Sequence, residues 1–197
     1  MLENIRGRVR YNERLKEHTS FKIGGAVKFF IQPKDLADLK TALAELRENK
    51  VRSYIIGNGS NILAFDGRLD LGVINLSAAY FKRIRRSGNK IVAAAGVALK
   101  DLLSFSRDKS LSGLEFLAGI PGSLGGALIM NAGSYGQSIG SLVTQIKVID
   151  YNNRIKILKK KDFDFNYRSS NLANCIILEA HLKLSKARKK DIAERIK

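Results

Sequence analysis

The spacing of apolar residues predicts a small α/β unit over residues 1–77. A helix should begin after Asp35, a good capping residue, because leucines then recur at helical spacing. Pro33 should end the strand before this helix, because it has no N–H group for the ladder. The residues up to about Glu17 are highly charged and are predicted to form a short helix and coil. The apolar runs predicted as strands of this unit are 27–31, 53–56 and 72–76.

A second unit is predicted over residues 78–185. Two hairpins are expected here, one around Gly88 and one around Asn152–Asn153, since these residue types tolerate positive φ. Residues 186–197 are typical of the start of a helix and are assigned to a third domain. Because paired strands mix with single helices, the predicted fold class is α+β. The elements predicted for the second unit are strands over 81–86, 90–95, 142–151, 154–158 and 175–184 and a helix over 98–109.

The composition is that of a folded domain, with 45% hydrophobic and 27% charged residues. The single cysteine, Cys175, excludes an intramolecular disulfide, and His18 and His181 are too isolated to predict a metal site. No apolar run approaches the roughly 20 residues of a membrane span, and the charged first residues do not form a secretory signal. We therefore expect a soluble cytoplasmic protein with no metal and no membrane partner.

The chain is strongly basic, with 35 Lys and Arg against 18 Asp and Glu and a net charge of +17. The basic residues are spread over the chain, but Ser110–Ile146 contains none, and Glu115 is its one charged residue. Nucleic-acid-binding surfaces usually combine a basic stripe with aromatic residues, and this interleaving is not found. We therefore expect no nucleic-acid partner, although a basic surface can steer anionic substrates.

The first loop, Gly57–Asn61, directly follows a predicted strand. Gly57 and Gly59 allow positive φ and a close approach of the backbone to a ligand, and successive N–H groups in such a turn form an anion site. A diphosphate is a suitable ligand for that site. A Rossmann fingerprint would need glycine where Ile62 stands and an acidic residue further on, so that fold is excluded. A plain tight turn is the alternative.

The second loop, Gly119–Gly126, begins a long glycine-rich stretch. Eight of the chain's 17 glycines lie between Gly113 and Gly140, a density that disfavours regular structure. It indicates that a ligand approaches this backbone. Gly125–Gly126 and the apolar residues after them predict a helix whose N-terminal N–H groups point outward. The alternative is close helix–sheet packing, which also needs small residues.

Together the loops resemble ordered motifs of the UDP-N-acetylenolpyruvoylglucosamine reductase (MurB) family, whose members make a peptidoglycan precursor. Several motifs occur in the same order over residues 15–184, which is more specific than either loop alone. The resemblance implies the two-subdomain FAD-binding fold of the vanillyl-alcohol-oxidase (PCMH) type, with subdomains over 1–77 and 78–185. The motifs that carry it are His18–Gly25, Gly57–Asn61, Gly119–Gly126, Asn131–Gly136 and Tyr167–Ser170.

The resemblance also implies two cofactors and a set of site residues. FAD would lie between the subdomains, with its diphosphate near the first loop and its ring near 119–133, while NADPH would be the co-substrate and a UDP-sugar the substrate. Arg168 matches the family's catalytic arginine, whose planar, permanently charged fork suits a carboxylate on which charge develops. The implied cofactor-binding residues are Gly57, Asn58, Gly59, Ser60, Asn61, Gly119, Ile120, Pro121, Gly122, Ser123, Gly125, Gly126, Asn131, Ala132 and Gly133.

The resemblance stops before the family's substrate domain. That domain supplies a serine that protonates the intermediate and a glutamate that assists the arginine, and no segment after Arg168 matches either. General acid catalysis is typically worth about 10²–10⁴-fold, so we expect a chain that binds FAD but has little activity alone. The alternatives are a non-catalytic flavin-binding module and a basic nucleic-acid-binding protein without flavin.

Overall fold

The computed structural model describes residues 2–196, which form two main β-sheets, three two-stranded ribbons and four α-helices. No helix in this range is long and apolar enough to cross a membrane. The helices are α1 (Leu36–Glu48), α2 (Leu99–Asp108), α3 (Leu124–Ile129) and α4 (Lys189–Ile196). The strands are β1 (Arg8–Arg14), β2 (Ala26–Gln32), β3 (Arg52–Ile56), β4 (Leu69–Asn75), β5 (Ile84–Ser87), β6 (Lys90–Ala94), β7 (Leu111–Ser112), β8 (Gly133–Ser134), β9 (Gln137–Ser138), β10 (Val143–Ile149), β11 (Ile155–Lys159), β12 (Phe165–Asn166), β13 (Ser169–Ser170), β14 (Ile176–Lys183) and β15 (Ser185–Lys186).

The first sheet has the order β1-β2-β4-β3. Strands β2, β4 and β3 are parallel, and β1 is antiparallel to β2. Helix α1 connects β2 to β3, and the Asp35 carboxylate accepts a hydrogen bond from the N–H of Asp38, which confirms the predicted cap. Strands β2, β3 and β4 likewise confirm the three apolar runs predicted as strands. The apolar residues that α1 buries are Leu39, Ala42, Leu43 and Leu46.

The second sheet has the order β11-β10-β14-β6-β5, with every neighbouring pair antiparallel. Its central strand β14 buries alternate residues, Leu178, Ala180 and Leu182, as the period of a strand requires. Both predicted hairpins form, with positive φ at Gly88 and Asn153. The predicted α+β class is confirmed.

One continuous hydrophobic core joins the two sheets. Phe29 and Ile31 of β2 belong to the same buried cluster as Ile146 of β10 and Leu182 of β14. A shared close-packed core resists relative movement of its parts, so loops at adjacent ends of the two sheets hold fixed positions. A smaller cluster against the first sheet contains Leu15, Val27, Phe30, Ile56 and Val73.

The prediction for the N-terminal segment is wrong, because Arg8–Arg14 forms strand β1 and not a helix with coil. This strand lies at the edge of the sheet and is largely charged, and only Val9 and Tyr11 alternate with its polar residues, which is a short pattern. It forms because β2 pairs with it from Arg8 opposite Gln32 to Arg14 opposite Ala26, with an interruption at Asn12, where φ is 53°.

Two predicted boundaries are also wrong. The strand predicted over 81–86 begins at Ile84, because Ala79–Lys82 forms a 3₁₀ turn. The last helix begins at Lys189 and not at residue 186, because Ser185–Lys186 pairs with β7. The predicted end of that helix, Lys197, lies outside the described residues.

Asp38 is a buried carboxylate in the first turn of α1, with 1% of its surface exposed. Its Oδ1 accepts a hydrogen bond from the N–H of Arg6 at 2.7 Å. Its Oδ2 accepts from the N–H groups of Gly7 at 2.8 Å and Lys34 at 2.7 Å. One side chain therefore ties the segment before β1 and the loop after β2 to the start of α1.

We expect Asp38→Asn to lower the free energy of unfolding by about 1–3 kcal/mol, because the amide turns an N–H group towards backbone donors and leaves them unpaired. Urea denaturation measures the change. Glu194→Gln, at an exposed position, is the control and should stay within about 0.5 kcal/mol. Equal stability of Asp38→Asn and the parent chain would contradict this account.

Candidate functional site

Two glycine-containing loops meet where the two sheets adjoin. The first loop, Gly57–Asn61, leaves the carboxyl end of β3, and the second loop, Gly119–Gly126, leads into α3. The Ser60 hydroxyl donates a hydrogen bond to the carbonyl oxygen of Pro121 at 3.1 Å. Loops that are far apart in sequence therefore form one site, as the motifs indicated.

An outer chamber of about 510 Å³ lies along this contact. Both loops, α3 and the turn that follows β12 contribute to its walls. Most residues predicted for the site line it, namely Gly57, Asn58, Gly59, Ser60, Asn61, Ile120, Pro121, Gly122, Ser123, Gly126, Ala132 and Arg168.

An inner chamber of about 240 Å³ continues from the outer one towards the ends of the strands. The two chambers share lining residues, including Gly57 and Ser123, so they are adjacent, and we refer to them together as the cleft. Of the predicted residues, Gly125 lines the inner chamber only. Three predicted residues are not among those that line either chamber, and their assignment as cofactor contacts stays a prediction: Gly119, Asn131 and Gly133.

The first loop supplies amide donors that no protein group uses. Within residues 2–196, the backbone N–H groups of Asn58, Gly59, Ser60 and Asn61 have no protein acceptor. Gly59 has φ of 67°, and a Cβ there would collide with the carbonyl of His18, so only glycine fits. Successive unpaired amides beside a cleft form a binding site for an anion.

The start of α3 differs from the prediction. The N–H of Leu124 donates to the carbonyl of Val97, and the N–H of Gly125 donates to the carbonyl of Ala95, each at 2.8 Å. The prediction that this helix points its first N–H groups outward is wrong for these two amides. The reason is that α3 begins directly against the chain that leaves β6, where backbone carbonyls take up the donors.

The adjacent glycines Gly125 and Gly126 have different surroundings. A Cβ on Gly125 would lie 3.1 Å from the Cβ of Ala95, so this glycine is needed for close helix–sheet packing. A Cβ on Gly126 would meet nothing nearer than the Ser123 hydroxyl at 3.6 Å, and Gly126 lines both chambers. Packing therefore explains the first glycine, whereas the second leaves the cleft open for a ligand.

Arg168 lies in the turn between β12 and β13 with φ of 54°, a conformation that favours glycine. The Asn131 amide donates to the carbonyl of Asn166 at 2.9 Å, and the Ser170 hydroxyl donates to the carbonyl of Ile129 at 3.0 Å. These bonds anchor the turn to the end of α3. Arg168 is the one charged side chain among the described residues that line the outer chamber, and it forms no ion pair within that part of the chain.

The inner chamber contains residues that the sequence did not identify as part of a site, including Asn75, Tyr151 and Cys175. Burial raises the pKa of the Tyr151 phenol and of the Cys175 thiol. No local motif marks these residues, because they come from ends of different strands that only the tertiary structure brings together.

The chemical groups that line the cleft suit a ligand with phosphate groups and a flat ring. It offers backbone amides and hydroxyls to phosphate groups, small residues against which a flat ring can lie, and one guanidinium at its wall. Across residues 2–196, no group of three or more His, Cys, Asp and Glu side chains is arranged to hold a metal ion.

We expect Cys175 to react slowly with iodoacetamide at neutral pH and faster as the pH rises above the ordinary thiol range. The thiolate is the reactive form, and burial raises the pKa of this thiol, whose Sγ–H donates to the Leu172 carbonyl at 3.3 Å. Mass spectrometry counts the modification at this single cysteine, with the urea-unfolded chain as the control. Equal rates for folded and unfolded chains at neutral pH would contradict the burial of this thiol.

Sequence relatives match this chain along its length. The FAD binding domain family matches residues 27–158. The UDP-N-acetylenolpyruvoylglucosamine reductase of Clostridium tetani is 38% identical over 100% of this chain and 64% of that protein. The reductase of the same name from Listeria monocytogenes is 38% identical over 90% of this chain and 59% of its own length. The chain thus spans less than two thirds of the length of these relatives.

Solved structures agree with the fold. UDP-N-acetylenolpyruvylglucosamine reductase (MurB) from Thermus caldophilus superposes with a TM-score of 0.80 and 28% identity, over 98% of this chain and 67% of that chain. The 6-hydroxy-D-nicotine oxidase of Arthrobacter nicotinovorans gives a TM-score of 0.69 at 14% identity, over 94% of this chain and 43% of that one, so its likeness concerns the fold alone. These matches confirm the predicted fold class and the resemblance seen in the motifs. The chain belongs to the FAD-binding domain family.

Proposed function

We propose that this chain is the FAD-binding part of an NADPH-dependent reductase that acts on the enolpyruvyl group of UDP-N-acetylenolpyruvoylglucosamine, the compound in its relatives' name. The observation that carries this proposal is the set of free amide donors at the meeting point of the two loops. A cytoplasmic location and the absence of a nucleic-acid partner, both expected from the sequence, belong to the same proposal.

The residues present fit FAD. We assign its diphosphate to the first loop, where four consecutive amides lack protein acceptors, and its ring to the neighbourhood of 119–133. Gly126 supports this assignment, because the space that its missing side chain leaves opens into the cleft. Bound FAD supplies hydride-transfer chemistry, and the chain's own residues bind and orient the reactants.

Arg168 is the residue to which we assign the catalytic role. A guanidinium offers a planar, charged fork, so Arg168 can hold a carboxylate and stabilise negative charge that develops on it. Its position at the wall of the outer chamber and its strained backbone both support this role, since strain of about 1–3 kcal/mol is often kept at functional sites.

We keep the domain division over 1–77, 78–185 and 186–197 as part of the proposal. The first sheet lies within the first span and the second sheet within the next, which supports the boundary. In this proposal the proton-donating serine and the assisting glutamate belong to a substrate domain like that of the longer relatives. Residues 1–197 alone then bind FAD but turn over substrate slowly.

We expect the chain to bind FAD, and Gly126→Ala to weaken this binding by at least about tenfold without loss of stability. Alanine favours a helix over glycine by about 1 kcal/mol, and its methyl group would occupy space in the cleft. FAD titration followed by flavin fluorescence measures affinity, and thermal unfolding of the apoprotein measures stability.

Gly125→Ala is the matched control for this test. Its methyl group would press against Ala95, so it should lower the melting temperature of the apoprotein, unlike Gly126→Ala. A parent chain that binds no FAD would overturn the proposed function. Unchanged FAD affinity in Gly126→Ala would show that the cofactor does not lie against this glycine.

We expect Arg168→Gly to raise the free energy of unfolding by about 0.5–1 kcal/mol. Glycine removes the roughly 1–2 kcal/mol cost of a left-handed non-glycine residue in this turn, and this exceeds the roughly 0.4–1 kcal/mol by which glycine's greater freedom stabilises the unfolded chain. The same variant should bind FAD normally but lose any substrate-dependent NADPH oxidation that the chain supports. Arg168→Lys is the control that keeps the charge without the planar fork. A less stable Arg168→Gly variant, or one that keeps the substrate-dependent rate, would contradict this assignment.

A further inference from the structure

The last residues of three parallel strands are joined by side-chain hydrogen bonds beside the first loop. Asn75 ends β4 and pairs with Ile56, which ends β3. The Asn75 amide nitrogen Nδ2 donates to the carbonyl oxygens of Ile56 at 3.1 Å and Gly57 at 2.9 Å. These are the two carbonyls through which the chain enters the first loop.

Gln32, the last residue of β2, determines which way the Asn75 amide faces. Its Nε2 donates to Asn75 Oδ1 at 3.3 Å and to the Ser77 hydroxyl at 2.7 Å. Because Gln32 supplies a donor, the oxygen of the Asn75 amide turns towards it, and the nitrogen is left to face the loop carbonyls.

The direction of a carbonyl determines the direction of the next N–H group. In a planar trans peptide, the C=O of one residue and the N–H of the next point in opposite directions. With the carbonyls of Ile56 and Gly57 bound to Asn75, the N–H groups of Gly57 and Asn58 point away from the Asn75 side chain. Gly57 and Asn58 line the outer chamber, whereas Asn75 does not.

We infer that Asn75 is a positioning residue that orients the amides of the first loop towards the diphosphate of the cofactor. This inference rests on the proposed placement of FAD. Asn75 itself need not touch the diphosphate, because it acts through the peptide units of Gly57 and Asn58. Gln32 supports it by fixing the orientation of its amide.

The test uses Asn75→Asp, which preserves side-chain size but turns a carboxylate oxygen towards two carbonyl oxygens, together with the uncharged Asn75→Leu. The second variant is needed because repulsion between a new carboxylate and the diphosphate would by itself weaken FAD and ADP binding, so the expected loss must appear in both. FAD and ADP should each bind at least about tenfold more weakly, since the diphosphate loses correctly aimed donors. Adenosine, which has no phosphate, should bind as it does to the parent chain. Equilibrium dialysis measures each affinity, and thermal unfolding of the apoprotein is recorded for every variant.

Asn49→Asp is the matched control, because the Asn49 amide also donates to a carbonyl, that of Glu45 at 2.7 Å, but at the exposed end of α1. It should leave all three affinities unchanged. Gln32→Glu is a second test of the same inference. A carboxylate at this position would attract the Asn75 nitrogen, and the Asn75 amide would rotate so that its oxygen faces the loop carbonyls. It should produce the same selective loss of FAD and ADP, and it decides the question if Asn75→Asp does not fold.

The outcomes separate this inference from the proposed function. A parent chain that binds neither FAD nor ADP overturns the proposed function, and the inference with it. If the parent chain binds both, unchanged ADP affinity in the variants overturns the inference alone. Equal losses of ADP and adenosine also overturn it, because they would indicate general damage to the cleft rather than misdirected amides.

Discussion

The contact between the first loop and the second loop is the constraint on which the rest of the site depends. The first loop follows strand β3 of the first sheet, the second loop leads into α3, and the two sheets that hold them share one core. The hydrogen bond from Ser60 to Pro121 crosses that junction directly. On one side of it the amides of Asn58 to Asn61 lack protein acceptors, so these donors are available to a ligand.

The glycines of the cleft serve separate purposes that a glycine-rich sequence does not distinguish. Gly125 permits α3 to approach Ala95, Gly126 leaves space in the cleft, and Gly59 avoids the carbonyl of His18. Arg168 is the opposite case: its backbone has a positive φ that glycine would adopt without strain, yet the residue is large and charged. Arg168 is the one non-glycine residue with positive φ among the described residues that line the cleft.

Prediction from sequence succeeded where the pattern is local. The capped helix α1, the strands β2 to β4 and both hairpins follow from periodicity, a capping side chain and turn residues. It failed at β1, an edge strand with four charged residues and a short apolar alternation at Val9 and Tyr11, which is held by its pairing with β2. It also missed Asn75 and Cys175, because nothing near them in sequence marks a wall of the cleft.

By itself the sequence determined the fold class, most elements and the two loops. Apolar spacing, turn glycines and ordered motifs reflect conformational requirements that are met by residues close together in the sequence. Only the tertiary structure decided which amides remain unpaired, which glycine faces the cleft and which strand ends share a wall. Those properties depend on contacts with residues that are distant in the sequence. The N–H of Gly125 is satisfied by Ala95 and that of Asn58 is not, although both belong to glycine-containing loops.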